Sequence, residues 1–220
     1  MAKGSATTSK KLAQMSCDCS FLLTHLVRQN GDPPKQDSEA SAILQTILEG
    51  TCLMARGVGW YDTCRNTNCF NPETMEWEKP NPDKAVCFTE STLLGLQAHA
   101  VVFGAKYGLS FDRDFLYSKG ANPCFNIGTN LLKLSIQKKD ESYTWSVYNF
   151  IPIKLHPFVN IINDTFDATH EREWRHVNDL HFNLADVKII FCPEGEFEEF
   201  SKFQKHGKPT LFDLAWLGRI

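Results

Sequence analysis

Apolar residues recur at helical spacing in one early segment. The preceding Asp37-Ser38-Glu39 offers an N-cap and acidic residues for a first turn, and Gly50 ends the pattern. The apolar positions are Ile43, Leu44, Ile47 and Leu48. We therefore predict a helix that starts from a cap within residues 37–39 and ends at Gly50.

Short apolar runs bounded by turn-rich segments predict strands at residues 21–28, 85–89, 106–111, 122–128 and 186–192. Weaker helical patterns cover residues 92–103, 114–118, 130–138 and 196–203. Strands and helices do not alternate steadily, as they would in a doubly wound fold. The pattern favours an α+β domain with a mixed β-sheet, whole or split, flanked by helices.

The segments that lack a regular spacing of apolar residues indicate how the chain is organised. Residues 1–19 are polar at their start and are interpreted as a flexible leader. Residues 20–220 are expected to form a single α+β domain. Within it, residues 51–84 hold Gly-Val-Gly, Asn-Pro and Lys-Pro-Asn-Pro clusters, so we predict a long loop insertion there.

Composition narrows the function classes. The chain has 220 residues, 42% of them hydrophobic, and a formal net charge of -3. This charge gives no global attraction to nucleic acid or to anionic membranes. No apolar run is long enough to span a bilayer, and the start lacks the apolar core of a signal peptide, so we expect a cytoplasmic protein without membrane contact. Glycine-rich dinucleotide and phosphate loops are absent from the sequence.

The eight cysteines allow one metal hypothesis. A zinc site would need four thiolates, and the candidates are Cys17, Cys19, Cys64 and Cys69. Neither pair has the usual two-residue knuckle spacing. We favour free thiols and predict no metal.

The densest charge cluster is the segment His-Glu-Arg-Glu-Trp-Arg-His at residues 170–176. If it is extended, Glu171, Glu173 and Arg175 share one face. Two neighbouring carboxylates suit acid–base or electrostatic work on one substrate. Two structural alternatives remain open: a charged edge strand, or an ion pair between Arg175 and either glutamate.

Five short motifs, in this order, resemble the AbiGi family of abortive phage resistance proteins. They are Leu23-Thr24-His25, Cys87-Phe88-Thr89-Glu90, Lys106-Tyr107-Gly108-Leu109-Ser110-Phe111, Gly120-Ala121-Asn122-Pro123 and Glu171-Arg172-Glu173-Trp174-Arg175. Members of that family are antitoxins of abortive infection systems. The resemblance implies a cytosolic role in phage defence.

A looser similarity concerns mechanism. An early strand histidine, a middle strand with aromatic and hydroxyl residues, and a late Glu-x-Glu resemble ADP-ribosyltransferases of the DarT type. The resemblance implies an NAD substrate with His25 on its ribose and Tyr107 or Phe88 on nicotinamide. Glu173 would be catalytic, with Glu171 as its helper. The remaining implied NAD-binding residues are Thr24, Thr89, Arg28 and Arg175, and a Ser-Thr-Ser motif is missing.

Two functions of different classes follow. The first is a phage-defence enzyme that transfers ADP-ribose from NAD to a nucleic-acid or protein acceptor. The alternative is a non-catalytic antitoxin that binds a partner toxin through Trp60, Tyr61 and Trp77 of the insertion. A nucleic-acid binding module is the third reading, and the net negative charge disfavours it.

Overall fold

The computed structural model describes residues 20–30, 33–57, 68–79, 84–131, 133–138, 141–146, 151–162, 167, 169 and 172–219. Residues 69, 133–138, 141–146 and 206 are described by their backbone alone. The chain divides into two compact units. Unit 1 comprises Met1–Leu53, Phe88–Gly120 and His181–Ile220, and unit 2 comprises Met54–Cys87 and Ala121–Leu180.

The described strands, in chain order, are β1 (Leu22–Val27), β2 (Cys52–Leu53), β3 (Arg56–Gly57), β4 (Cys69–Asn71), β5 (Glu76–Glu78), β6 (Lys84–Thr89), β7 (Tyr107–Asp112), β8 (Asn122–Pro123), β9 (Phe125–Gly128), β10 (Lys133–Lys138), β11 (Glu141–Ser146), β12 (Val159–Ile162), β13 (Glu173–Val177), β14 (Leu180–His181), β15 (Val187–Phe191) and β16 (Thr210–Phe212). The α-helices are α1 (Asp37–Gly50), α2 (Leu93–Phe103), α3 (Arg113–Ser118) and α4 (Phe197–Phe200). Short 3-10 turns complete the elements. The predicted α+β class is confirmed.

Unit 1 is built on strands in the order β16-β15-β7-β1, and the end of β6 lies beside β1. These neighbours are antiparallel except for β15 and β16, which are parallel. The register aligns Thr24 of β1 with Ser110 of β7 and with Thr89 of β6. Three hydroxyl side chains therefore lie in one row across three strands.

Gly108 lets β7 approach β1 closely. A Cβ atom at this position would lie 2.5 Å from the carbonyl oxygen of His25 and 2.8 Å from the Leu26 side chain. Contacts that short require the backbone to move. The glycine in the Tyr-Gly-Leu motif is therefore needed for the pairing that carries Thr24 and His25.

The helices of unit 1 cover the sheet with apolar side chains. The helix predicted between a cap within residues 37–39 and Gly50 is confirmed as α1, which buries Ala40, Leu44 and Leu48. Its N-cap is Gln36, one residue before the predicted cap, and Glu39 closes a capping box. A second cluster joins α2, β15 and the C-terminal 3-10 turns through Leu96, Phe191, Leu214 and Leu217.

Unit 2 has a smaller core formed by Ala85, Ile151 and Val159. β13 lies between β6 and β8, with Arg175 opposite Asn122. β9 and β12 pair in parallel, while β4 with β5 and β10 with β11 form antiparallel hairpins. Four short strands, β2 to β5, fall in the predicted insertion at 51–84, whose residues 58–67 and 80–83 lie outside the described part.

Three secondary-structure predictions need correction. Residues 130–138 were expected to be helical, but a 3-10 turn ends at Leu131 and β10 follows. Leu134 and Ile136 alternate with polar residues, which is the period of a strand. The predicted strand at 122–128 is two strands, β8 and β9, with different partners. The helix expected at 196–203 keeps α-helical geometry only in α4, between 3-10 turns.

No helix in the described part of the chain combines the length and the hydropathy needed to cross a membrane.

Candidate functional site

His25 is the predicted ribose-binding residue and lies in the middle of β1, half-buried. Its ring meets the ring of Phe88 edge-on, with centroids 6.0 Å apart and an interplanar angle of 64°. The register explains the contact, because Thr24 pairs with Thr89 and the next residues along the two antiparallel strands are His25 and Phe88. Two motifs far apart in sequence thus meet within unit 1.

The row of hydroxyl groups around Thr24 lies on the sheet face opposite to the His25 ring, because successive residues of a strand alternate faces. Thr24 and Ser110 share a 2.7 Å bond between their hydroxyl oxygens. Thr89 and Ser91 share a 2.6 Å bond, and Ser91 lies 3.3 Å from Nε2 of His99 on α2. All five of these side chains are buried. Ser110, Ser91 and His99 were not among the predicted site residues.

Both predicted nicotinamide-stacking residues are buried in unit 1. Phe88 is 2% exposed and contacts Phe111, with ring centroids 6.2 Å apart. Tyr107 is 0% exposed, and its hydroxyl donates to Glu196 at 2.5 Å. Burial and this hydrogen bond to a carboxylate raise the pKa of the Tyr107 phenol. Stacking on a ligand stays a prediction and requires these rings to become accessible.

Arg28 is the exposed cation of this group. It follows β1 directly, and its guanidinium carbon lies 4.1 Å from the centroid of the Phe103 ring. A guanidinium can stack on an aromatic face and donate hydrogen bonds through its edge at the same time. This position is compatible with the predicted contact to diphosphate, which stays a prediction.

Glu173 and Arg175 form the charged centre of unit 2. They lie on the same face of β13, two residues apart, and their side chains are only 9% and 6% exposed. Nε of Arg175 donates to Oε1 of Glu173 and Nη2 donates to Oε2, both at 2.9 Å. This two-pronged geometry is the strongest form of a carboxylate–guanidinium pair.

The guanidinium of Arg175 is fully engaged. Nη1 donates to the backbone carbonyls of Pro157 at 2.8 Å and Val159 at 3.2 Å. Nη2 also donates to Oδ1 of Asn160. An arginine has five N–H groups, and all five have acceptors here. The predicted contact of Arg175 with diphosphate therefore requires it to release one of these partners.

Burial would raise the pKa of the Glu173 carboxyl, but the hydrogen bonds and charge of Arg175 outweigh it, so that pKa is lowered. The Cys87 thiol on β6 and the Asn160 amide also donate to the carboxylate and act in the same direction. Burial and the charge of Glu173 raise the pKa of Cys87 to about 12, which keeps the thiol neutral. Glu173 is therefore ionised at physiological pH.

Within the predicted extended segment, the described strand β13 begins at Glu173. Arg172 precedes the strand and has a φ of 43°, in the left-handed region. The described strand therefore begins after Arg172. Glu171, the predicted second carboxylate, lies outside the described residues.

Other site predictions also fall outside the described part. Trp60 and Tyr61 of the predicted docking patch lie there, whereas Trp77 is described and is 45% exposed. Of the four candidate zinc ligands, Cys17, Cys19 and Cys64 lie outside it, and Cys69 is described by its backbone alone. Among the residues that the structure describes, no group of three or more metal-ligating side chains is present.

Comparison with known proteins assigns no family. No protein-family model matches the chain, and no curated protein matches it. Among solved structures, the chain is similar to Thermus sp. 2.9 DarT in complex with NAD+. The identity is 10%, the TM-score is 0.36, and the match covers 87% of this chain and 94% of that chain.

Proposed function

We propose that the protein cleaves NAD and transfers its ADP-ribose to a macromolecular acceptor, as a cytoplasmic component of phage defence. The observation that carries the proposal is the contact between His25 and Phe88. It joins two motifs that, by resemblance to DarT-type enzymes, would bind the ribose and the nicotinamide. A half-buried imidazole in edge-on contact with an aromatic ring suits a ligand with both sugar and aromatic parts.

The reaction needs one fixed negative charge. The bond between ribose C1′ and the nicotinamide nitrogen breaks, and its electron pair leaves with nicotinamide, so positive charge develops on the ribose. A carboxylate that is ionised and held in place stabilises this charge. Glu173 meets both conditions, although its partner Arg175 weakens the field that it exerts outside the pair.

A second carboxylate completes the transfer. An acceptor hydroxyl, amine or ring nitrogen forms the new bond to C1′ and gives its proton to a base. We assign this base to Glu171 on the strength of the Glu-x-Glu motif alone. The acceptor is a nucleic acid or a protein.

The test is NAD binding and nicotinamide release by the purified chain. His25→Ala is expected to weaken NAD binding about 10-fold or more, the effect of losing one or two good hydrogen bonds. His181→Ala is the matched control, since His181 is exposed and also belongs to unit 1. A wild-type chain that neither binds nor consumes NAD refutes the enzyme proposal.

Two further variants separate the carboxylates. Glu171→Gln is expected to abolish transfer to the acceptor while nicotinamide release continues with water as acceptor. Glu173→Gln is expected to slow nicotinamide release itself about 100-fold, as when one preorganised electrostatic group is removed. Equal effects of both variants on both readouts would contradict the division of roles.

A second candidate function is a non-catalytic antitoxin, and one observation favours it. The β4–β5 hairpin presents Met75 with 71% and Trp77 with 45% of its surface exposed. Exposed aromatic and methionine side chains are typical of protein interfaces. Co-purification of the chain with the product of the neighbouring gene, lost in Trp77→Ala and kept in Glu76→Ala, is the expected result. An uncomplexed chain that consumes NAD would exclude this role.

A further inference from the structure

Asn160 is a polar residue in an apolar strand. It lies on β12 between Val159 and Ile161, is 4% exposed, and belongs to unit 2. A buried amide is costly unless both its donor and its acceptor find partners. The partners of Asn160 therefore indicate why an amide occupies this position.

Both ends of the Asn160 amide contact the Glu173–Arg175 pair. Nδ2 donates to Oε2 of Glu173 at 2.9 Å, and Oδ1 accepts from Nη2 of Arg175. Nη2 also donates to the same Glu173 oxygen at 2.9 Å. The three side chains form a closed ring in which each is bonded to the other two.

The ring is anchored to the backbone next to Asn160. Nη1 of Arg175 donates to the carbonyls of Pro157 and Val159, which lie just before Asn160 in the chain. The segment that carries the amide therefore also fixes the guanidinium. A carboxylate held by three donors from a fixed amide and a fixed guanidinium has little rotational freedom.

We infer that Asn160 is a positioning residue, which orients the Glu173 carboxylate for the ADP-ribosyl transfer and favours its charged form. This inference rests on the proposed function, because it assigns a catalytic use to Glu173. Asn160 acts through Glu173 and is not itself a catalytic residue.

The charged and titratable groups around Glu173 determine how a substitution at Asn160 changes the pKa of Glu173. Arg175 faces the carboxylate from its own strand and Cys87 faces it from β6, while Cys124 interacts with Arg175. Cys87 is neutral, with a pKa of about 12. Replacing the amide by a carboxylate removes a donor to Glu173 and adds a like charge, and both changes raise the pKa of Glu173.

The test compares Asn160→Asp with Asn126→Asp. Asn126 lies opposite Asn160 on the neighbouring strand β9 and is exposed, so the same substitution there is a matched control. For Asn160→Asp we expect a kcat about 10- to 100-fold lower, as for other small misplacements of reacting groups. The KM for NAD should stay within about 2-fold of wild type, and the acidic limb of the pH–kcat profile should move to higher pH. Asn126→Asp should match the wild type in all three.

A merely structural amide would give a different result. Asn160→Asp would then lower the melting temperature but keep the wild-type kcat and pH profile at a temperature where it is folded. That outcome overturns the inference.

An NMR titration of the Glu173 side-chain carboxyl carbon tests the same ring without an activity assay. In the wild type it should titrate below the ordinary value of about 4.3. Titration at or above that value overturns the inference, even where Asn160→Asp does not fold. If the wild type shows the low pKa of Glu173 but consumes no NAD, the proposed function fails, and the positioning role fails with it. The low pKa would then be the result of a purely structural hydrogen-bonded ring.

Discussion

Arg175 and Glu173 lie two residues apart on β13 and are joined by two hydrogen bonds of 2.9 Å, one to each carboxylate oxygen. Neighbours at this spacing share a strand face, so the pairing is local in sequence. The groups that surround the guanidinium are distant in sequence, because they are Asn160 and the carbonyls of Pro157 and Val159. The pair is therefore both a candidate catalytic element and a structural one.

Removing the charge of Glu173 should destabilise the fold. Glu173→Gln leaves the buried Arg175 without its counter-ion, and breaking a buried pair from one side typically costs about 3–5 kcal/mol of the free energy of unfolding. Urea denaturation at pH 7 measures this loss. The control is Glu73→Gln, which breaks an exposed pair with Lys154 and should cost about 0–1 kcal/mol. Equal losses in both variants would contradict the structural role of the buried pair.

The same pair predicts a dependence of stability on acid. Because the native pKa of Glu173 is lowered, the carboxylate stabilises the fold above its unfolded pKa of about 4.3. This stabilisation is lost as the pH falls from that value through the lower native pKa. The gap in unfolding free energy between wild type and Glu173→Gln should thus be full at pH 7 and shrink below about pH 4. A gap that does not change with pH would show that ionisation of Glu173 is not its source.

Part of this architecture could be predicted from local sequence. α1 has its apolar spacing, its acidic first turn and its end at Gly50 in one stretch of sequence, so local rules suffice. β1 and β7 are short apolar runs and could be predicted from local sequence in the same way. β10 was mistaken for a helix because its apolar alternation covers only six residues, although its partner β11 follows it directly in a hairpin.

The contacts of the candidate site were harder to predict from the sequence. The alternation of Glu173 and Arg175 on one face was visible, but the partner Asn160 lies in a segment without clear periodicity. The available signal was a single amide among Val159, Ile161 and Ile162, since a buried polar residue needs partners. The bond between Thr24 and Ser110 depends on strand register, which no motif specifies.

That hydroxyl bond yields a prediction about Thr24. Thr24→Val should lower the free energy of unfolding by about 1–3 kcal/mol, because the buried Ser110 hydroxyl loses a partner. Adding Ser110→Ala should cost less than the sum of the single changes, which a double-mutant cycle measures. Additive losses would show that the 2.7 Å contact contributes nothing specific. NAD affinity measured on the same variants separates this role from the predicted binding role.

Tyr107 allows a similar separation of roles. Tyr107→Phe keeps the aromatic ring and removes the hydroxyl that donates to Glu196. Stability should fall by about 1–3 kcal/mol, since a carboxylate loses its hydrogen-bond donor. NAD affinity should stay at the wild-type value, because a stacking contact uses the ring alone. Reduced NAD affinity in a folded Tyr107→Phe variant would contradict a stacking role.

Arg28 is exposed, directly follows β1 in unit 1, and is the cation there that we predict to contact the diphosphate of NAD. Arg28→Gln removes its charge and should weaken NAD binding about 10- to 100-fold, the usual value of a charge-assisted hydrogen bond. The salt dependence of binding should also decrease, because one phosphate contact is lost. Lys188→Gln is the control, as Lys188 is exposed on β15 of the same unit. Calorimetric titration with NAD at two salt concentrations gives both quantities. If Arg28 only contacts Phe103, Arg28→Gln should lower the free energy of unfolding by no more than about 1 kcal/mol and leave NAD affinity unchanged. That result would assign Arg28 a purely structural role.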